Sequence, residues 1–77
     1  MTDNKRVQAA IALFPAEFWL PTVSDHVYRI DPVGSYVRRG RVVLNVQAQR
    51  DSGEPWTDYC TAGVDELQSM PGMRSVR

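Results

Sequence analysis

The sequence predicts an α+β domain: an N-terminal helix packed on a small antiparallel sheet of three or four strands, followed by a short C-terminal helix. Three observations carry this expectation. Apolar residues recur at helical spacing near the start, alternate through residues 41–49 with Val43 as the exception, and return to a helical period after Gly63. A small SH3-like barrel is the alternative arrangement of the same elements.

Val7, Ala10, Ile11 and Phe14 fall at i, i+3, i+4 and i+7, which lines one face of a helix that Thr2 or Asp3 can cap. Pro15 cannot continue that helix, but proline suits a first helical turn. Residues 15–19 are therefore expected to begin a second short turn, which Pro21 helps to end. Phe14, Phe18 and Trp19 then form an aromatic corner covering the sheet.

From Asp25 the period changes to two. His26, Tyr28 and Ile30 alternate with Val27, Arg29 and Asp31, giving a strand that Pro32 and Gly34 stop, with Tyr36-Val37 extending or restarting the pairing. Arg39-Gly40 reads as a turn, because glycine accepts positive φ. In the next strand Val42, Leu44, Val46 and Ala48 share one face, while Arg41, Asn45, Gln47 and Gln49 share the other with Val43. That is the pattern of a sheet wetted on one side. Asp51-Ser52-Gly53-Glu54 is a hairpin loop signal, and Pro55 to Ala62 returns as a partner strand with proline at an edge position. Val64, Leu67 and Met70 then give one or two helical turns that Pro71-Gly72 ends. Residues 1–72 read as one compact domain and 73–77 as a frayed tail.

Seventy-seven residues can bury only a small core, and the lone Cys60 offers no internal disulfide to reinforce it. A reducing compartment, the cytoplasm by default, follows from that cysteine usage. Pro15 and Glu17 interrupt the apolar residues near the start, so neither a secretory leader nor a membrane span is expected there.

Nine basic and nine acidic residues cancel, which argues against a dedicated nucleic-acid binder. The cancellation hides a polarity along the chain. Residues 29–50 carry Arg29, Arg38, Arg39, Arg41 and Arg50 against Asp31, whereas residues 51–66 carry Asp51, Glu54, Asp58, Asp65 and Glu66 with no base. Eight of the nine basic residues are arginine, which suits forked hydrogen bonding to carboxylate or phosphate.

Chemistry-bearing groups are sparse. His26 and Cys60 are the single members of their types, so a cysteine–histidine dyad is the one nucleophilic arrangement available, with no evident orienting group or oxyanion site. One cysteine and one histidine do not make a tetrahedral zinc set, and the glycines occupy separate turns rather than a phosphate-binding loop. No catalytic residue, metal or cofactor is expected. The expected partner-binding residues are Arg38, Arg39 and Arg41, with Tyr36 preceding them and Trp56 across the sheet. The expected function is a small non-enzymatic protein-binding module of adaptor or inhibitor type. Phage- and plasmid-encoded proteins that obstruct larger host machinery fit this description. The alternative is a nucleic-acid-binding domain using the basic turn Arg38 to Arg41. A homodimer is a further expectation, from the small core and the opposed charge of the two segments.

Overall fold

The computed structural model describes residues 2–20, 23–51 and 53–76. Its elements are α1 (Thr2–Ile11), β1 (Phe18–Leu20), β2 (Val23–Arg38), β3 (Arg41–Gln49), β4 (Thr57–Gly63), α2 (Val64–Gln68) and β5 (Arg74–Ser75). The fold is α+β, with an antiparallel sheet of five strands in the order β4-β3-β2-β1-β5, one more than the upper expectation. β4 and β5 are its two edges, so the sheet stays open rather than closing into a barrel. Among the described residues no helix is long and apolar enough to cross a membrane.

The extra strands come from two segments whose sequences read otherwise. Residues 15–19 were expected to begin a helical turn, but Phe18 and Trp19 form β1 with Leu20, with Phe18 and Leu20 buried and Trp19 turned outward. Three residues are too few for the period of two to show against the helix-start signal of Pro15. The terminal segment, expected to fray, pairs with β1 through Phe18↔Ser75 and Trp19↔Arg74, and the Val76 N–H donates to the Glu17 carbonyl at 3.1 Å. A docked terminus of this kind gains its order from long-range pairing, which local sequence does not display.

Both helices lie on one face of the sheet. α1 buries Val7 and Ala10, with Ile11 and Phe14 packed against the core, and α2 buries Leu67 between Val64 and Met70. Beneath them, Val46, Leu44 and Ala48 of β3 meet Tyr28 and Ile30 of β2 and Phe18 of β1. Tyr28, Phe18, Leu44 and Val46 are the largest fully buried side chains. Burial raises the Tyr28 phenol above its ordinary pKa, and Tyr59, edge-on at 5.1 Å, adds to the effect.

The β2–β3 register contains a wide bulge. From Asp31, opposite Asn45, to Tyr36, opposite Val43, β2 takes five steps where β3 takes two. The surplus is folded back on local hydrogen bonds. The Asp31 carboxylate accepts from the Val33 N–H at 3.1 Å. The Ser35 hydroxyl donates to the Asp31 carbonyl at 2.8 Å and accepts the Asn45 N–H at 2.9 Å, so it replaces the strand partner that the bulge removes. Gly34 lies directly on the Asn45 side chain. A Cβ there would sit 2.4 Å from Asn45 Nδ2 and 2.7 Å from its Cγ.

Two substitutions test this packing. Leu44→Ala removes a fully buried side chain and should destabilise the domain by about 2 to 5 kcal/mol. Gly34→Ala forces the Asn45 side chain aside and should cost about 1 to 3 kcal/mol. Denaturant titration of both variants checks the packing, and an unchanged midpoint in either contradicts it.

Candidate partner-binding surface

Arg38 and Arg41 face each other across the end of the β2–β3 hairpin, joined by a two-residue turn. Arg39 has φ 51° and Gly40 φ 77°, the doubly positive pattern of a type I′ turn, whose twist matches that of paired strands. Glycine accepts this conformation freely. Arginine in the first position does not, because its Cβ crowds the backbone at positive φ.

Residues directly opposite in an antiparallel pair share a face. Tyr36 opposite Val43, and Arg38 opposite Arg41, therefore project from the side of the sheet away from the helices. Tyr36 is 44% exposed and Val33, carried out on the bulge, is 85% exposed. Arg38, Arg39, Arg41 and Val43 line an open concavity at this end. A fourth arginine joins them: Arg6, on the opening turns of α1, donates a side-chain hydrogen bond to the Gly40 carbonyl. Val33 and Arg6 were not anticipated. Arg6 is 34 residues from its acceptor, and the exposure of Val33 depends on the bulge.

None of the described carboxylates forms an ion pair with Arg38, Arg39 or Arg41. Asp65 and Glu66, on the first turn of α2, line one groove with Gly40, Arg41 and Val43 without closing on the arginine. The result is a cationic end with an apolar and aromatic centre.

Trp56 does not belong to this end. It precedes β4, whose Thr57 pairs with Ala48, so it lies about seven strand residues, roughly 23 Å, from Arg41. There it stacks with Arg29, whose guanidinium carbon is 4.4 Å from the ring centroid. Arg29 Nε donates to Gln47 Oε1 at 3.0 Å, and the Asp58 carboxylate accepts from Gln47 Nε2 at 3.3 Å and from Asn45 Nδ2 at 3.2 Å. These side chains tie β2, β3 and β4 together across the outer face, which gives Trp56 and Arg29 a structural part.

The two candidates for nucleophilic chemistry are set differently from an activated dyad. No hydrogen bond joins His26 to Cys60, and the His26 Nδ1 is buried without a partner. The Cys60 thiol is pushed above its ordinary pKa, first by desolvation and then by the Glu66 carboxylate, the opposite of the shift that creates a thiolate nucleophile.

No protein-family model matches the chain, and neither a curated protein nor a solved structure matches it.

The strained turn yields a prediction that separates stability from recognition. Arg39→Asn, which tolerates positive φ, should stabilise the domain by about 1 kcal/mol in thermal unfolding while removing one cation from the surface. A drop in melting temperature contradicts the turn assignment.

Proposed function

We propose that this chain is a small non-enzymatic protein-binding module of adaptor or inhibitor type that presents the β2–β3 hairpin end to an acidic surface on a larger protein. The observation that carries this reading is the conjunction of uncompensated Arg38, Arg39 and Arg41 with exposed Tyr36 and Val33. Arginine and tyrosine dominate interface energetics when a planar cation or ring is desolvated around an apolar centre, and charge complementarity sets the approach.

Nucleic acid is the alternative for the same arginines. One observation favours protein. The aromatic platform expected from Trp56 lies at the other end of the sheet, leaving Tyr36 as the ring beside the arginines for stacking a base. A reducing, cytoplasmic setting accords with the lone free thiol. Action on a host complex by a phage- or plasmid-encoded chain is one form that an inhibitor of this size takes.

The test is affinity capture from extracts of the native cell. Replacing Arg38, Arg39 and Arg41 together by glutamate should abolish recovery of one defined partner while circular dichroism stays unchanged. Trp56→Ala and Cys60→Ser should leave recovery intact. Salt-sensitive binding of short oligonucleotides, lost in the triple variant and accompanied by no protein partner, would overturn the proposal.

A further inference from the structure

We propose that the open edge of β4, with the apolar groove beside it, accepts an extended cationic segment of a partner protein as a sixth strand. This is a second surface, which adjoins the hairpin end along the groove that Arg41 shares with Asp65 and Glu66. Among the described strands β4 is paired with β3 alone, and the backbone groups on its other side face outward. Such an edge is a template for strand addition, in which main-chain hydrogen bonds supply affinity and alternate side chains supply specificity. β5, the opposite edge, has two residues and offers no comparable length.

Specificity has a place to act. On the helix side of β4 lies a groove of about 600 Å³ whose walls include Leu20, Cys60, Ala62, Leu67 and Met70, with Tyr59 at its border, 51% exposed. Cys60 opposite Val46 and Ala62 opposite Leu44 place the inward face of the edge on the groove. An added strand would set every second side chain into it, and apolar residues are required at those positions. At Tyr59 the β4 register shifts, since Val46 meets Cys60 but Gln47 meets Asp58, so regular pairing is expected over 60–63.

Charge selects the occupant. Asp51, Glu54, Asp58, Asp65 and Glu66 are exposed before, on and after β4, with no base between residues 51 and 66. Pairing β4 with β4 of a second copy would bring this acidic run against itself. The basic segment of a second copy cannot serve either, because its β2 and β3 are both interior strands with their edges already paired. A different chain, alternating apolar residues with lysine or arginine, satisfies both the groove and the charge.

The probe is a blocked hexapeptide alternating valine and lysine, titrated against the whole chain by fluorescence anisotropy and followed by hydrogen exchange. Binding should slow exchange at alternate amides within 60–63. It should weaken about two- to fivefold in Glu66→Gln, which keeps an acceptor for the Gly63 N–H, and persist when Arg38, Arg39 and Arg41 are reversed. That persistence separates this inference from the proposed hairpin function. Absence of binding at millimolar peptide would overturn it, as would equal binding of a valine–glutamate peptide or of one N-methylated at alternate amides. Sedimentation showing self-association that Glu66→Gln disrupts would assign the edge to a second copy and likewise overturn it.

Discussion

The odd-numbered surplus of residues on either side of β3 is the constraint on which the outer surface depends. β3 runs straight, with Val42, Leu44, Val46 and Ala48 toward the helices. Its neighbours do not keep step. β2 places Tyr28 and Ile30 inward, then inserts three residues, so that Tyr36 and Arg38, which strict alternation would drive into the core, emerge on the opposite face. β4 inserts one residue at Tyr59, so Cys60 and Ala62 face the groove while Asp58 faces the polar side. A slip by an odd number reverses every following side chain. The cationic hairpin and the acidic edge both follow from those two shifts in phase.

What holds the shifts is polar rather than apolar. Ser35 accepts the Asn45 N–H, Gly34 leaves room for the Asn45 side chain, and that side chain donates to Asp58 on the far strand. Asn45 is 8% exposed, so its backbone N–H and its side-chain amide must both be satisfied, and their acceptors, Ser35 and Asp58, lie one on each neighbouring strand. Both bulges are thereby anchored to one residue of β3. The arginines gather where β2 turns into β3 and the acids along β4 and its flanks, and the two sets meet in the groove that Arg41 shares with Asp65 and Glu66. A net charge of zero conceals a cationic hairpin end and an acidic run of residues.

The strongest parts of the fold were legible because their periods were long. Ten residues of α1 and nine of β3 show their faces directly, and the spacing of Val64, Leu67 and Met70 announces α2. β1 and β5 were hidden because three and two residues cannot establish a period, and because their order comes from pairing across the whole chain. In the site, Arg38, Tyr36 and Arg41 were legible from the turn, and Val33 was not, since its exposure depends on a bulge that Pro32 and Gly34 announced only as an interruption. Trp56 is the instructive case. A hairpin loop at residues 51–54 already sets the residues after it beside the end of β3 rather than its start, so its distance from Arg41 was implicit in the strand assignment itself.

The same edge reconciles a small core with an exposed strand. The open edge of β4 is a hazard for self-association, and two devices restrain it: the bulge at Tyr59 shortens the regular edge, and the acidic run repels its own copy. Neither device closes the edge to every chain. Repulsion among acids becomes attraction for a cationic strand, and the remaining straight segment is enough for a few main-chain hydrogen bonds with apolar anchors in the groove. Protection against the wrong partner and preference for a particular one then arise from the same residues.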